Sequence, residues 1–487
     1  MGESVSRRWR RHAQLYVHVF ILPARVGHYF ALRDEIQEYL ETAADHFDVR
    51  RSIHFNTRAV RAVYRPDVCQ WFVTTEDRSG RQEVLTASVV ISASGIFNPP
   101  LVPNLPGADT WAREKWHSSQ WPAHGTKKGK RVAMIGNGAS AMQIGPAICK
   151  DAEYLTIFQR KPHWISRFPR FRMAIPEEVQ YLARTIPLYR AWYRVRLGWI
   201  WNDRAYSTFQ MDPTWEHPDR SLNARNDAQR IYLTKYIRDE LGDRAEDLLP
   251  KVLPDYPPFA KRMLLDNGWY RMLRRDNVEL VDDPITQIDR TKIITSDGQS
   301  REFDVLIYAT GFDVSRMVNT YEVIGEAGVS LREAWEDDNA RAYLGTVVPH
   351  FPNFFILYGP NLQPGHGGSI MFILELQMRY IIGMIRQMVA QGIRSVSMRE
   401  DIFTKYNDDV DERNSRMAWS HTGLRTYVRN DRGRVVVNSP YRNIDLFHMM
   451  DPRLEDYQCL PRKLAGEDLR SERTGASVQV SGAPSDR

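Results

Sequence analysis

The chain has 487 residues, more than one hydrophobic core usually supports, so we expect two or three domains. Its 66 basic and 60 acidic residues leave a net charge of +6. Because the basic residues are scattered along the chain, we do not expect nucleic acid as a partner. The three cysteines have no metal-site spacing and no C-x-x-C pair, which indicates a reducing compartment, no metal site and no disulfide framework.

The N-terminus carries an apolar run, but no stretch of the sequence approaches the ~18 apolar residues of a membrane span. Residues 15–22 (LYVHVFIL) follow the basic RRWRRH and superficially resemble a signal peptide. The run contains His18, and no clear small-residue cleavage site follows it. We therefore interpret it as an edge or hairpin strand and expect a cytoplasmic protein with no membrane partner.

The chain then alternates between helix and strand patterns. Residues 33–47 predict an amphipathic helix with one apolar face: Ile36, Tyr39, Leu40 and Ala43. The β-like runs that follow are residues 53–56, 59–64, 71–75 and 85–92. The last of these ends in the turn at Gly95, and the proline-rich residues 97–107 predict an extended segment that crosses between domains.

Helical patterns dominate from residue 176 to about residue 249, with tyrosines, tryptophans and arginines interleaved. We interpret these aromatic residues as a helical core with basic side chains snorkelling around it, rather than as a nucleic-acid groove. Further elements are predicted as strands at 278–281, 305–309 and 353–358 and as a helix at 370–391. The composition of residues 466–487 predicts a disordered tail.

The most informative stretch is VAMIGNGASAMQ, residues 132–143, in which an apolar run precedes G-x-G-x-x-A and a helix pattern. In this motif Gly136 allows a tight strand-to-helix turn, Gly138 lets a pyrophosphate approach the backbone, and Ala141 lets the helix lie close to the strand. The helix N-terminus, with Ser140, offers N–H groups to phosphates. The stretch predicts a dinucleotide-binding βαβ unit.

The end of the next predicted strand indicates which coenzyme binds. About 20 residues after the first glycine, where an NAD site carries Asp or Glu, the chain has Gln159, Arg160 and Lys161. A carboxylate would repel a 2′-phosphate, whereas an arginine fork can hold it with two hydrogen bonds. These residues predict NADPH rather than NADH, with Arg160 as a phosphate ligand. The alternative interpretation of Arg160 is a solvated cation at a strand end.

Residues 111–122, WAREKWHSSQWP, resemble the Baeyer–Villiger monooxygenase fingerprint F-x-G-x-x-x-H-x-x-x-W-P. His117 and the final Trp-Pro match it, but Arg113 replaces the glycine, and we expect an arginine to tolerate the glycine backbone poorly. Further motifs of the family follow in order: FQRKPHW, PPFAKRMLLDNGWY, RRDNVELV, YATGFD and YGPNLQPGHGGS. The set, over roughly residues 15–459, resembles the 4-hydroxyacetophenone monooxygenase group in particular.

The resemblance implies an α/β fold with two Rossmann-like dinucleotide-binding domains and a helical insertion, the first domain being incomplete at its N-terminus. The implied boundaries are a partial FAD-binding domain and linker at 1–125, an NADP-binding domain at 126–165 and 256–308, the insertion at 166–255, a return segment of the FAD-binding domain at 309–465, and the tail at 466–487. The family's first G-x-G-x-x-G, which holds the ADP half of FAD, has no counterpart in the sequence. We therefore expect weak or lost FAD binding and an exposed apolar sheet edge.

The resemblance also implies a reaction and roles for several residues. In the family, NADPH reduces FAD, the reduced flavin reacts with O2, and a ketone becomes an ester. Arg262 matches the cation that serves the oxygenated flavin and the nicotinamide, and Lys261 matches the lysine that binds the NADPH phosphate. His117 matches the fingerprint histidine that couples domain movement to cofactor binding, with a packed linker histidine as the alternative. Tyr427 lies where the family often has a tryptophan beside the nicotinamide.

The leading prediction is therefore an FAD- and NADPH-dependent Baeyer–Villiger monooxygenase whose partners are an aryl ketone and O2. Oxygenation of nitrogen or sulfur, as in related flavin monooxygenases, is one alternative, and a non-catalytic NADPH-binding remnant is another. The Trp121-Pro122 ending and the Lys261-Arg262 pair favour the ketone reaction, whereas the absent first motif favours the remnant. A homodimer is left open.

Overall fold

The computed structural model of the protein describes residues 27–122, 128–171, 173–365 and 368–461, so the strand predicted at 15–22 and the tail predicted at 466–487 lie outside the described residues. The strands are β1 (Thr57–Arg65), β2 (Gln70–Asp77), β3 (Gln82–Ala87), β4 (Val90–Ser92), β5 (Glu114–His117), β6 (Arg131–Ile135), β7 (Tyr154–Phe158), β8 (Ile165–Ser166), β9 (Leu264–Leu265), β10 (Val278–Val281), β11 (Ile285–Asp289), β12 (Lys292–Thr295), β13 (Ser300–Glu302), β14 (Val305–Tyr308), β15 (Glu322–Ile324), β16 (Phe354–Ile356), β17 (Gln363–Pro364), β18 (Ile393–Met398), β19 (Asn438–Ser439) and β20 (Tyr457–Pro461). The α-helices are α1 (Arg33–His46), α2 (Ala141–Ile148), α3 (Glu177–Thr185), α4 (Tyr189–Gly198), α5 (Ala224–Leu241), α6 (Ala245–Val252), α7 (Trp269–Leu273), α8 (Leu331–Ala334), α9 (Ile370–Ala390), α10 (Glu400–Ser415) and α11 (Asn443–Met449).

A five-stranded parallel sheet, in the order β10-β7-β6-β14-β5, carries the glycine-rich loop of residues 136–141, which we call the dinucleotide loop. The inner strands β7, β6 and β14 are almost entirely buried, as expected for short apolar strands covered on both faces. Helix α2 leaves the end of β6, between β7 and β14, which is where ligands bind in sheets of this type. The predicted α/β fold is confirmed. Strand β5 pairs with β14 in this sheet, although the predicted boundaries place β5 in the partial FAD-binding domain and linker at residues 1–125.

Arg113, which stands where the fingerprint has glycine, adopts no left-handed backbone conformation. Its guanidinium donates a hydrogen bond to the carbonyl of Phe303 at 2.9 Å and pairs with Asp304 and Glu302 at 2.5 and 2.9 Å. The expectation that an arginine is poorly tolerated here is therefore wrong. The side chain instead ties the start of β5 to the chain that enters β14.

A second sheet, β15-β1-β2-β3, and a parallel pair, β4 with β16, form the other sheet region. The single strand predicted at 85–92 is wrong, because β3 pairs with β2 whereas β4 pairs with β16. Residues 53–56, predicted as β-like, lie in a loop. Among the described residues no strand pairs with the outer edge of β4, where Ile91 is 37% exposed. The expected apolar sheet edge stays a prediction.

Helix α9, predicted over residues 370–391, holds the loop that follows β16. The Ser369 hydroxyl caps it by accepting a hydrogen bond from the N–H of Phe372 at 3.1 Å. The fully buried Gln377 side chain donates to the carbonyl of Ile356 at 2.9 Å and accepts from the N–H of Tyr358 at 2.7 Å. These bonds fix the point from which residues 359–365 continue into the candidate site.

The insertion predicted at 166–255 is largely helical, as expected. Helix α5 packs into the core of the parallel sheet through Leu233, Ile237 and Leu241. The interpretation of the interleaved aromatic residues as a helical core is wrong for α4 and the turn after it. Trp192 is 58% exposed and Trp199 is 52% exposed, so these rings lie on the surface.

Candidate functional site

The dinucleotide loop has the geometry that its glycines predict. Gly136 has a φ of +109°, and a Cβ there would lie 2.4 Å from the carbonyl oxygen of Ala309 at the end of β14. No atom lies within 4 Å of a Cβ built on Gly138, so space is open above the loop. Ser140 directly precedes α2, and Ala141 begins it fully buried against the sheet. The loop can therefore admit a phosphate to its backbone.

Gln159, at the position that predicts coenzyme choice, is only 5% exposed and faces inward. Its oxygen accepts a hydrogen bond from the Asn137 side chain at 2.8 Å, and its amide donates to the carbonyl of Lys251 at 2.7 Å. The Asn137 amide also donates to the carbonyl of Lys161 at 3.0 Å. Gln159 thus braces the dinucleotide loop, whereas the side chain of the next residue, Arg160, is exposed.

Arg160, Lys161 and Lys261 form a group of positive charges beside this loop, which we call the cation cluster. Lys161 pairs with Asp255 at 2.5 Å, and the Lys261 ammonium lies 5.1 Å from the centre of the Tyr256 ring. Burial, and then repulsion by Arg160 and Lys161, lower the pKa of Lys261 to about 8. Asp255 is the carboxylate that acts against this shift. A multiply charged anion would relieve the repulsion.

His163 borders the cation cluster and was not singled out from the sequence, although it lies in the FQRKPHW motif. Burial, and then Lys261, lower its pKa to about 3, so the imidazole is neutral near pH 7. Its Nδ1 atom is buried without a hydrogen-bond partner among the described residues. The Asp255 counter-charge and the Asn137 bracing bond were also missed, because both depend on contacts between segments distant in sequence.

A second group of residues surrounds Gln363, and we call Arg262, Tyr358, Gln363 and Tyr427 the Gln363 cluster. Arg262 donates to the carbonyl of Pro364 at 3.0 Å, and the Gln363 amide donates to the Tyr427 hydroxyl at 2.8 Å. Burial raises the pKa of Tyr358, and the nearby Arg262 guanidinium opposes that shift. The structure thus brings Arg262 and Tyr427 to neighbouring residues of one loop.

Aromatic rings connect Tyr427 to His117. Phe97 lies 6.3 Å from Tyr427 and 5.9 Å from Phe312, and Phe312 lies 5.5 Å from the His117 ring, all measured between ring centroids. His117 is 2% exposed, and burial lowers its pKa. Its Nδ1 lies 2.8 Å from the Ser119 hydroxyl, and a hydrogen bond between the ring and the backbone of Gly311 opposes the lowering of the pKa by burial.

Two chain crossings border this row of rings. Gly95, after β4, has a φ of +73°, and Gly311, after β14, has a φ of +88°. No atom lies within 4 Å of a Cβ built on either glycine. The crossings run side by side, since Leu101 N–H donates to the Gly311 carbonyl at 2.9 Å. A flat ligand could approach the backbone at both turns.

Lys261 and Arg262 join the two groups, because these adjacent residues belong to the cation cluster and to the Gln363 cluster respectively. Within the described ranges we find no group of three His, Cys, Asp or Glu side chains that could hold a metal ion. The helices of the same ranges include none with the length and apolar character needed to cross a bilayer.

Comparison with known proteins gives consistent matches. A family model described as flavin-binding monooxygenase-like matches residues 19–244. An uncharacterized monooxygenase of Sinorhizobium fredii is 43% identical over 448 residues, which cover 92% of this chain and 67% of that protein. A Baeyer–Villiger monooxygenase of Streptomyces coelicolor is 32% identical over 463 residues, which cover 93% of this chain and 84% of that protein. The crystal structure of OTEMO in complex with FAD and NADP has a TM-score of 0.73 and 26% identity, covering 89% of this chain and 86% of that chain.

These matches confirm the family resemblance of the fingerprint and the motifs after it. The finer prediction, a specific kinship with 4-hydroxyacetophenone monooxygenase, stays a prediction. Because the Streptomyces relative is 32% identical and most of its length is covered, the family is established. The chain belongs to the flavin-binding monooxygenase-like family of enzymes, which includes Baeyer–Villiger monooxygenases.

Proposed function

We propose that this protein is an FAD- and NADPH-dependent Baeyer–Villiger monooxygenase that inserts one oxygen atom of O2 into an aryl ketone to give an ester. The observation that carries the proposal is the pair Lys261 and Arg262. One residue joins the cation cluster beside the dinucleotide loop, and the next joins the Gln363 cluster beside the row of aromatic rings. A cytoplasmic location and a homodimer stay predictions.

The residues of the cation cluster fit NADPH. The open space above Gly138 suits a pyrophosphate. Burial and then repulsion by Arg160 and Lys161 lower the pKa of Lys261, and a dianionic 2′-phosphate would relieve that repulsion. Arg160 is exposed and would approach that phosphate from the end of β7. Replacing Arg160 with Ala should weaken NADPH binding by about 1.5–3 kcal/mol and leave NADH binding little changed. Equal losses for the two coenzymes would refute this role.

The residues around Gln363 fit a flat, redox-active ring. When bound, FAD supplies the activation of O2 after its reduction by NADPH. Arg262 would stabilise negative charge on the reacting oxygen atoms, a role that needs a cation held in place before the reaction. Tyr427 and Phe97 would line the site and exclude water. His117, which is buried against the backbone of Gly311, would hold that crossing beside the cofactor.

Product analysis with labelled oxygen tests the proposal. A version of the chain preceded by the family's first FAD-binding motif is incubated with FAD, NADPH, ¹⁸O2 and acetophenone, and we expect phenyl acetate with a single ¹⁸O atom. Arg262→Ala should yield no ester while flavin and NADPH binding persist. Sulfoxide from thioanisole without any ester from the ketone would favour heteroatom oxygenation instead. NADPH binding without flavin binding would favour the non-catalytic alternative.

A further inference from the structure

Helix α4 and the residues directly before and after it turn an apolar face away from the protein. Four side chains recur at helical spacing on this face and are 81%, 58%, 70% and 52% exposed, in the order Leu188, Trp192, Val195 and Trp199. Surface helices usually turn their apolar stripe toward the core. We call these four residues the outer stripe. Exposed apolar surface of this kind marks an interaction site.

The start of the outer stripe has an unfavourable backbone conformation. Leu188 precedes the first residue of α4 with a φ of +63°, in the left-handed region that a leucine rarely adopts. Because 81% of Leu188 is exposed, contacts among the described residues offer this conformation little compensation. Backbone strain of this kind concentrates at functional surfaces.

Positive charge borders the outer stripe. The Arg196 guanidinium lies 5.7 Å from the centre of the Trp192 ring, and the Arg204 guanidinium lies 5.8 Å from the Trp199 ring. Both arginines are exposed, and residues 186–202 contain no Asp or Glu. Asp203 adjoins Arg204, but its carboxylate accepts a hydrogen bond from the N–H of Ile444 at 3.4 Å. The surface therefore combines tryptophan, aliphatic side chains and arginine.

The inner face of α4 is anchored, which keeps the outer stripe directed outward. Arg194 pairs with Glu375 of α9, and its guanidinium lies 5.9 Å from the Phe372 ring. Tyr189 and Tyr193 on the same helix are half-buried. The helix thus presents the stripe from a fixed position beside the loop that carries Gln363.

We propose that the outer stripe binds the surface of an anionic lipid bilayer, with the tryptophans at the headgroup boundary and Arg196 and Arg204 on the phosphates. Apolar side chains with tryptophan on one face and arginines beside them are the combination that such surfaces select. The contact is peripheral, and it would revise the expectation from the sequence that the protein has no membrane partner. A second copy fits the stripe less well, because two-fold packing brings like charges together and residues 186–202 contain no Asp or Glu to neutralise Arg196.

Vesicle flotation of the full chain tests the proposal. We expect binding to vesicles containing about one third phosphatidylglycerol, weak binding to phosphatidylcholine alone, and release by added salt. The variant Trp192→Ala/Trp199→Ala should lower the partition coefficient by about tenfold or more. The variant Arg196→Gln/Arg204→Gln should lower it by about fivefold per arginine on anionic vesicles only.

A matched control is available on α5, where Ile231 and Tyr232 are 64% and 50% exposed. The variant Ile231→Ala/Tyr232→Ala should bind anionic vesicles as the unmodified chain does, and circular dichroism should show that all three variants are folded. An equal loss in this control, or no preference for anionic vesicles, would overturn the proposal. The proposal would also be overturned if the unmodified chain is a dimer that binds neither kind of vesicle and the tryptophan variant is a monomer. A second copy would then occupy the stripe.

Discussion

Raising the pH through the pKa of Lys261 should weaken the hold of the cation cluster on a 2′-phosphate. That pKa, lowered to about 8 by burial and by Arg160 and Lys161, means that Lys261 is charged below pH 8 and becomes neutral above it. A bound phosphate dianion favours the charged form, so binding takes up a proton from solution when the pH exceeds the pKa of the free site. The affinity should therefore be constant just below pH 8 and fall above it.

The size of the effect follows from the same pKa. One pH unit above a pKa of about 8, roughly one lysine in eleven is charged, so the affinity at pH 9 should be about tenfold lower than at pH 7, or about 1.4 kcal/mol. A second decline is expected below about pH 6, where the phosphate itself takes up a proton. The profile should thus have a plateau between these two limits.

Titration calorimetry with 2′,5′-ADP measures this profile without the chemical lability of the whole coenzyme. The control ligand 5′-ADP lacks the 2′-phosphate and should show no decline above pH 8. In Lys261→Met the plateau affinity should be lower and the alkaline decline should vanish. A flat profile to pH 9.5 in the unmodified chain, or the same decline with 5′-ADP, would refute the assignment of the cation cluster to the 2′-phosphate.

Three further predictions follow from single contacts. Asp255→Asn should release Lys161 from its 2.5 Å ion pair and strengthen NADPH binding but not NADH binding in a fluorescence titration; equal changes would contradict it. Gly136→Ala should lower the free energy of unfolding by about 3 kcal/mol in urea, since its Cβ would meet the Ala309 carbonyl at 2.4 Å and its φ is +109°, whereas a loss under about 0.5 kcal/mol would mean that the turn adapts. In the version that carries the family's first FAD-binding motif, Arg262→Ala should abolish ester formation while the flavin absorbance is retained, and ester formed at the unmodified rate would exclude Arg262 as the stabilising cation.

Local patterns in the sequence predicted the dinucleotide unit well. The apolar run before Gly136, the glycine spacing and the strand predicted at residues 155–159 each depend on a few neighbouring residues. All three appear in the structure, where the strand spans Tyr154–Phe158. The family motifs predicted that Arg262 and Tyr427 belong to one site, and Pro364 and Gln363 bring them together. The roles of these residues in catalysis stay predictions.

The features that escaped prediction depend on contacts between distant segments. Residues 85–92 have one continuous β pattern, yet the chain changes sheets within it. The first part of the pattern pairs with β2 and the second part pairs with β16. The pair of Lys161 with Asp255 joins segments far apart in sequence. The aromatic residues of α4 were predicted to be buried because composition alone cannot show which face of a helix meets the core, and here Trp192 faces outward.

The inward orientation of Gln159 explains why coenzyme choice in this chain would depend on its neighbours. Successive residues at a strand end point to opposite sides, so when Gln159 braces Asn137 and the Lys251 carbonyl, Arg160 must face the solvent and the ligand. A phosphate bound by Arg160 would attract the ammonium of Lys261. Burial, Arg160 and Lys161 otherwise disfavour the charged form of this lysine. Because Arg262 follows directly, any shift that brings Lys261 onto the phosphate would also move the cation beside Gln363. Coenzyme binding and the placement of the proposed catalytic cation would therefore be coupled through one peptide bond.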